Sequence, residues 1–348
     1  TGTLAPGEAG IRQALEFGKK AGYPIMLKAS LGGGGRGIRR VESETDLLLQ
    51  LPVARTEAKS AFNDDSLYVE KCIEAPRHVE VQILADMHGN VIHLGTRDCS
   101  IQRRHQKLLE IAPADLPKDV LGRMYEAAIA AARGSGYVNA GTVEFLVDSK
   151  TNDFWFMEVN TRLQVEHTVT EELTGVDIVR QQIRIARGEK IDIPAERVHM
   201  MGKAVQVRIN AEDPKNNFMP EGGKTVEVYH SPGGPGIRLD GLVYQGYKIP
   251  TEYDSLMVKL TCRGYDWNET IDRLKRALLG FNIVGPKTTI PFYLAICDEP
   301  DFRAGRFDTG YIESHPEIFD YPETEREVAK LAKLIAEIHV KKINPYAY

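Results

Sequence analysis

The sequence is poor in cysteine: Cys72, Cys99, Cys262 and Cys297 are the only ones among 348 residues. No two of them form a C-x-x-C pair, which argues against a zinc site or a dithiol redox motif. Isolated cysteines of this kind are typical of proteins from a reducing compartment. We therefore expect unpaired thiols.

Long hydrophobic runs are also absent. No apolar stretch is long enough to cross a bilayer, and no signal peptide is recognisable. The formal net charge is -5, with no block of like charges, so neither a membrane nor a nucleic-acid partner is expected. Hydrophobic residues make up 42% of the chain, which is enough for the cores of two or three domains. We expect a cytoplasmic protein.

Hydrophobic periodicity predicts a mixed α+β chain with no internal repeat. Helices are predicted over 8–21, 118–133, 171–187, 268–279 and 324–339. Strands are predicted over 23–29, 38–41, 67–70, 78–84, 90–94, 142–147, 154–159, 204–209, 225–229 and 255–262. The strands at 78–84 and 90–94 read as a hairpin.

A glycine-rich loop, KASLGGGGRG, stands between two predicted strands. Gly32, Gly34 and Gly37 satisfy the dinucleotide spacing G-x-G-x-x-G, but the following residues read as a strand and not as the required helix. The Walker pattern fails because no lysine follows Gly37. A flap remains, in which bare N–H groups with Lys28 and Arg36 would bind a polyphosphate. A plain surface linker is the alternative.

Two acids are predicted to face each other across a hairpin centred on residue 151. Glu144 and Glu158 lie at equal distances from that centre, and Asn160 points to the same face. Opposed like charges destabilise a sheet, and a Mg²⁺ or Mn²⁺ ion would remove that cost. The alternative is a solvated hairpin, but the aromatic run at 154–157 favours a buried strand.

A second polar segment follows directly. In an extended chain Arg162, Gln164 and Glu166 share one face, where the arginine would bind a planar oxyanion and the glutamate would accept a proton. The polar run at 102–107 and His78 read as solvated or structural residues when taken alone. In a phosphate-binding chain they become candidate ligands.

These segments together resemble the biotin carboxylase family of the ATP-grasp superfamily. The matching stretches, in the order of that family, are KASLGGGGRG, YVEKCIEAPRHVEVQILAD, RDCSIQRRHQKLLEIAPA, NAGTVEFL, FMEVNTRLQVEHTVTE and QVRINAEDP. They span roughly residues 20–310. The region from Thr309 onward is more similar to pyruvate carboxylase than to the acetyl-CoA enzymes.

The resemblance implies an ATP-grasp fold of two α+β subdomains with a glycine-rich lid, followed by a β-rich biotin carboxylase C-terminal domain. The implied division is 1–75 for the lid subdomain, 76–200 for the central subdomain with the metal and bicarbonate site, and 201–348 for the C-terminal domain with a helical tail. The N-terminal domain of the family is expected to be missing before Thr1.

The resemblance also implies roles for individual residues. The nucleotide would be held by Lys28, Gly33, Gly34, Gly35, Gly37, Glu70, Lys71, Ile73, His78, Gln102 and His105. The metal ligands would be Glu144, Glu158 and Asn160. Bicarbonate would be bound by Arg162, Gln164 and Val165 with Lys107 nearby, Glu166 would be the base, and Arg208 would stabilise the biotin enolate.

The implied reaction uses ATP and bicarbonate to form carboxyphosphate, whose CO2 then carboxylates biotin. The implied partners are a biotin carboxyl carrier protein, a carboxyltransferase subunit and a second copy of the chain. Two alternatives stay open at this point. One is another ATP-grasp carboxylate ligase, and the other is a nucleotide-binding scaffold without turnover.

Overall fold

The structure is a computed structural model that describes residues 2–32, 37–104, 106–194, 198 and 200–322. The chain divides into two compact units, the first reaching to Pro76 and the second beginning at Arg77; Arg104 and Gln106 also belong to the first unit. Within the described ranges, no helix is both long and apolar enough to span a membrane. All four cysteines are buried and unpaired, as expected.

The first unit is a four-stranded antiparallel sheet with two helices. Its elements are β1 (Gly2–Thr3), α1 (Gly7–Ala21), β2 (Ile25–Ala29), β3 (Ile38–Val41), α2 (Glu44–Phe62) and β4 (Leu67–Lys71), with the strand order β1-β4-β2-β3. Gly22 ends α1 with a φ of 73°, as its position in the sequence predicts. Ser43 begins α2, because its hydroxyl accepts a hydrogen bond from the Asp46 N–H at 3.2 Å.

The second unit contains the remaining elements. They are β5 (Arg77–Ala85), β6 (Val91–Asp98), β7 (Gln102–Arg103), β8 (Gln106–Lys107), β9 (Leu109–Ala112), α3 (Lys118–Gly134), β10 (Asn139–Val147), β11 (Phe154–Asn160), α4 (His167–Thr174), α5 (Ile178–Ala186), β12 (Lys203–Asn210), β13 (Glu212–Asp213), β14 (Met219–Pro220), β15 (Val228–His230), β16 (Ile237–Gly241), β17 (Leu256–Gly264), α6 (Trp267–Leu279), β18 (Asn282–Val284), α7 (Ile290–Asp298), α8 (Pro300–Arg303) and α9 (Tyr311–Ser314).

One eight-stranded sheet organises this unit, in the order β11-β10-β5-β6-β9-β12-β17-β16. Every neighbouring pair in it is antiparallel. The sheet includes strands from both sides of residue 200, since β9 pairs with β12. Side chains alternate between the two faces of each strand. One face is apolar, and the other, called the polar face below, carries charged side chains beside two small apolar clusters that pack against α4 and α5.

The apolar face carries two cores. Under β5 and β10, Val81 and Phe145 pack against Met124 and Ala128 of α3. Under β12 and β17, the core joins strand residues such as Val207 to α6 and α7. Burial of these side chains is the main stabilising contribution, at about 25 cal/mol per Å² of apolar surface.

Two predicted elements differ from those observed. The helix predicted over 171–187 is two helices, α4 and α5, because Gly175 adopts a φ of 70° and ends the first one. The strand predicted over 225–229 is confined to β15, at Val228–His230. The predicted helix at 324–339 lies outside the described residues.

The turn between β5 and β6 is organised by Asp86. Its carboxylate accepts hydrogen bonds from the backbone N–H groups of His88, Asn90 and Ile191 and from the Asn90 side chain, at 2.7–3.0 Å. Burial alone would raise the pKa of Asp86, but the hydrogen bonds from Asn90, Ile191 and His88 outweigh it and lower the pKa from 3.8 to about 2. The turn is therefore stabilised by the ionised carboxylate.

We predict that Asp86→Asn lowers the free energy of unfolding by about 1–2 kcal/mol near neutral pH. A depressed folded-state pKa contributes stability above the unfolded pKa and loses it as the pH falls towards the folded value. The difference between wild type and variant should therefore shrink between pH 4 and pH 2. Urea unfolding measures it, and Asp115→Asn, whose side chain is 95% exposed, is the control. A difference that is constant with pH would contradict the prediction.

Candidate active site

A row of charged residues crosses the polar face of the eight-stranded sheet. Glu158 lies opposite Glu144, Glu144 opposite Glu80, and Glu80 opposite Arg97. The predicted pairing of Glu144 with Glu158 is confirmed. Glu144 and Glu80 are buried, whereas Glu158 is exposed. Three carboxylates side by side on a sheet repel one another and need compensating positive charge. This part of the polar face is therefore the candidate site.

The burial expected for the aromatic run on β11 is wrong. Trp155 and Phe156 are 46% and 58% exposed. The reason is topological, since β11 is the edge strand of the sheet and has only β10 beside it. A shift in register after Glu144 also brings Phe145 opposite Phe156, leaving Met157 out of the ladder.

Lys107 supplies the positive charge at the centre of this face. Its Nζ lies 2.6 Å from Glu80 Oε2, 2.7 Å from Glu144 Oε1 and 2.8 Å from Glu166 Oε1. Burial alone would lower the pKa of Lys107, but the carboxylates around it raise the pKa well above its ordinary value. The side chain is therefore a fixed cation that holds three acids together.

Arg97 is completely buried beside this cluster, and its guanidinium is fully used. Nε donates to Glu80 Oε1 at 2.5 Å, while the two terminal nitrogens donate to Gln82, Thr170, Thr142 and Gln164 at 2.8–3.1 Å. Burial of Arg97 is tolerable because every acceptor is in place. The contact to Gln164 Oε1 also fixes which end of that amide faces the cluster.

Glu166 occupies the position between two cations. One carboxylate oxygen contacts Lys107, and the other accepts a hydrogen bond from Arg208 Nη2 at 3.1 Å. Glu166 directly precedes α4, whose N-terminal end carries partial positive charge that favours an anion. The result is a buried carboxylate, 3% exposed, with one donor on each oxygen.

Arg208 is paired on its other side with Glu110. Its Nε and Nη2 donate to Glu110 Oε1 at 3.0 and 2.5 Å. Burial raises the pKa of Glu110, the charge of Arg208 opposes that rise, and repulsion from Glu166 adds to it. The charged groups thus alternate in sign along Glu144, Lys107, Glu166, Arg208 and Glu110.

The segment before α4 is a turn, so the extended chain expected for Arg162, Gln164 and Glu166 is wrong. Gln164 and Glu166 are buried in the cluster, but Arg162 is exposed, and within the described residues its side chain donates only to the carbonyl of Leu163, at 3.3 Å. The turn at residues 165–166 breaks the alternation on which the expectation was based. The Val165 carbonyl accepts a hydrogen bond from Lys259 at 3.3 Å.

The oxygen-bearing side chains at Glu144 suit a divalent cation. Oε1 accepts hydrogen bonds from Asn160 and Gln164 at 2.9 and 2.8 Å, and Oε2 lies 2.9 Å from His78 Nε2. Burial would raise the pKa of Glu144, but His78 and Lys107 lower it far below its usual range. An ionised carboxylate, a facing glutamate and a carboxamide form the oxygen-rich set that Mg²⁺ and Mn²⁺ accept.

In the first unit, two of the predicted nucleotide ligands contact each other. Lys28 Nζ lies 2.5 Å from Glu70 Oε2, and both side chains are partly exposed. Lys71 donates to the carbonyl of Gly22 at 2.9 Å. Gly37 has a φ of 74°, and a Cβ there would lie 2.8 Å from that of Ala29, so the end of the loop requires glycine.

Several predicted ligands lie outside the described residues. They are Gly33, Gly34, Gly35 and Arg36 of the glycine loop, and His105. Gln102 lies in β7 and Ile73 follows β4, and both are half-buried.

The sequence prediction did not identify Glu80, Arg97 or Glu110. A signal for Glu80 was available, because HVEVQ places it on the polar side of a strand in a predicted hairpin. Centring that hairpin on its Asp86–Asn90 turn would bring Glu80 opposite Thr96, and the observed pairing with Arg97 results from a register shift between Val81 and Ile83. No local signal indicates Glu110, since β9 and β12 are separated by about 90 residues.

Two family profiles match the chain. The profile described as the ATP-binding domain of the carbamoyl-phosphate synthase L chain matches residues 2–193. The profile of the biotin carboxylase C-terminal domain matches residues 206–314. All residues of the charged cluster lie within these two matches.

Curated relatives are similar over nearly the whole chain. Pyruvate carboxylase 1 of Caenorhabditis elegans is 48% identical over 94% of this chain, which spans 28% of that protein. The small subunit of 2-oxoglutarate carboxylase of Hydrogenobacter thermophilus is 48% identical over 96% of this chain, which spans 72% of that subunit.

A solved structure has the same fold. It is the biotin carboxylase domain dimer of the Hydrogenobacter thermophilus 2-oxoglutarate carboxylase, in complex with MgADP, ADP and bicarbonate. It superimposes with a TM-score of 0.84 at 48% identity, over 90% of this chain and 69% of that one. Fold and sequence agree, and the chain belongs to the biotin carboxylase family, with its ATP-grasp fold.

Proposed function

We propose that the chain carboxylates biotin on a carrier protein, using ATP and bicarbonate by way of carboxyphosphate, as the biotin carboxylase component of an acyl-CoA or pyruvate carboxylase. The observation that carries this proposal is the position of Glu166, a buried carboxylate held between Lys107 and Arg208. A base flanked by two cations suits a small anion that must lose a proton before it reacts.

Bicarbonate would enter beside this carboxylate. Glu166 accepts the bicarbonate proton, while Lys107 and the Gln164 amide stabilise the anion, together with the Val165 amide and Arg162. The deprotonated oxygen attacks the γ-phosphorus of ATP, an O–P bond forms, and the bond to ADP breaks. Arg162 would have to turn inward from its exposed position to take part.

Glu144, Glu158 and Asn160 are proposed to hold Mg²⁺ or Mn²⁺. The ion would neutralise charge on the ATP phosphates during transfer. Lys107 and the side-chain amides of Asn160 and Gln164 also contact Glu144. Binding of a cation therefore competes with contacts that already stabilise this carboxylate, which favours binding together with the nucleotide.

The nucleotide ligands are proposed from family membership. Lys28 and the loop glycines, Gly33, Gly34, Gly35 and Gly37, would contact the phosphates, and Glu70, Lys71 and Ile73 the adenine. His78, Gln102 and His105 would complete the set. Since Lys28 and Glu70 are paired with each other, nucleotide binding would exchange that ion pair for contacts to ATP.

The organisation of the chain and its assembly are likewise proposed from family membership. We propose the three-part division at residues 75 and 200, with lid, central and C-terminal domains. A biotin carboxyl carrier and a carboxyltransferase would be its partners, and its location cytoplasmic. A homodimer is proposed because the Hydrogenobacter thermophilus relative is described as a domain dimer.

Glu166→Gln and Arg208→Ala should each reduce biotin carboxylation by about 10²-fold while leaving the affinity for Mg-ATP unchanged. The reason is that both residues act on bicarbonate or biotin and not on the nucleotide. Bicarbonate-dependent ADP formation with free biotin gives the rates, and equilibrium titration gives the ATP affinity. Glu189→Gln, which alters an ion pair with Arg184 on the surface, is the control. Loss of ATP affinity in either variant would show that the site is assigned wrongly.

Glu158→Gln should weaken the magnesium-dependent part of ATP binding by about tenfold or more, since it removes an ionised ligand. The double variant Glu144→Gln, Glu158→Gln should abolish that part. ATP titrations with magnesium and with EDTA separate it from binding of the free nucleotide.

The control for this experiment is Asp153→Asn, which lies in the turn of the same hairpin. Thermal unfolding of all variants checks that they remain folded. Magnesium dependence equal to that of wild type in the double variant would refute the metal assignment.

A further inference from the structure

Glu110 differs from the other acids of the charged cluster because its side-chain partners are Arg208 and Gln206, and neither is a proposed metal or bicarbonate ligand. It lies on β9, directly opposite Gln206 of β12, and is completely buried. Arg208 follows two residues later on β12, so its side chain leaves the same face of the sheet. Glu110 and Arg208 are thus brought together by the strand register.

Both carboxylate oxygens of Glu110 are occupied. Oε1 accepts two hydrogen bonds from Arg208, and Oε2 accepts one from Gln206 Nε2 at 2.9 Å. Gln206 Oε1 in turn accepts a hydrogen bond from the Thr168 hydroxyl, which also contacts the Thr261 hydroxyl at 2.7 Å. These contacts fix the orientation of the Gln206 amide. Gln206 in turn holds the Glu110 carboxylate in a single orientation towards Arg208.

The guanidinium of Arg208 makes more hydrogen bonds to Glu110 than to Glu166. Glu110 receives two hydrogen bonds, from Nε and Nη2, whereas Glu166 receives one longer contact from Nη2. Among the described residues, none accepts a hydrogen bond from Arg208 Nη1. Glu110 therefore holds one side of the guanidinium against the sheet and leaves the opposite nitrogen for a ligand.

Without the charge of Glu110, Arg208 would have Glu166 as its only carboxylate partner in the described structure. Buried opposite charges attract strongly in a medium of low dielectric constant. The guanidinium of Arg208 would then move towards Glu166. It would pair with the proposed base and leave the position in which it would contact biotin.

We propose that Glu110 is a positioning residue, which holds Arg208 in place to receive biotin and keeps it from collapsing onto Glu166. This proposal rests on the proposed function, because the role of Arg208 towards biotin does. It adds that a buried acid without contact to any substrate controls the biotin half-reaction.

The test is a double-mutant cycle between Glu110→Gln and Arg208→Ala in the full chain. Glutamine has nearly the same shape as glutamate but lacks the charge. Glu110→Gln alone should lower kcat/KM for free biotin by about tenfold or more, with the Kd for Mg-ATP unchanged. Added to Arg208→Ala, it should lower kcat/KM by less than about twofold, because it acts through the residue already removed.

The matched control is Glu171→Gln, which removes the charge of another glutamate paired with an arginine, Arg238, at 2.7 Å, and whose side chain is only 9% exposed. It should leave kcat/KM for biotin within about twofold of wild type. Glu110→Asp, which keeps the charge, should recover part of the activity lost in Glu110→Gln.

Three results would overturn the proposal: wild-type biotin kinetics in Glu110→Gln, full additivity with Arg208→Ala, or an equal loss of ATP affinity. Crystal structures distinguish failure of the positioning role from failure of the proposed function. If the wild-type chain carboxylates no biotin, the proposed function fails, and crystal structures of wild type and Glu110→Gln still decide the placement of Arg208. A guanidinium in the same position in both would then overturn the positioning role.

Discussion

The contact of one buried ammonium group with three carboxylates determines the rest of the site. Lys107 is within 2.8 Å of Glu80, Glu144 and Glu166, and the side chains of all four residues are largely buried. Removing one partner from a buried ion pair costs about 3–5 kcal/mol, and here one cation serves three acids. The positions of these acids are therefore interdependent.

The two faces of the antiparallel sheet differ in composition. One face packs on α3, α6 and α7 and stabilises the unit by burial of apolar surface. The other face holds acids and bases whose pairing is completed by α4, where Thr168 and Thr170 contact Gln206 and Arg97. Beside this cluster, smaller apolar cores on the same face pack against α4 and α5 and hold these helices on the sheet.

The sequence predicted those parts of the site that depend on local geometry. The pairing of Glu144 with Glu158 follows from a short turn and the two-residue period of a strand. The exposure of Trp155 depends on which strand ends the sheet, and a local pattern carries no such information. Glu110 depends on pairing between distant strands, and Arg162 on a turn that the alternation of polar residues conceals. Family resemblance supplied roles for residues, but not the contacts that hold them.

The eight-stranded sheet has a consequence for precision. Glu144, Glu80, Glu110 and Arg208 lie on β10, β5, β9 and β12, all members of one backbone ladder. Their relative positions are set by strand pairing within one sheet, in which neighbouring strands lie about 4.8 Å apart. The placement of Arg208, the proposed biotin ligand, relative to Glu144, the proposed metal ligand, is thereby a property of the backbone ladder itself.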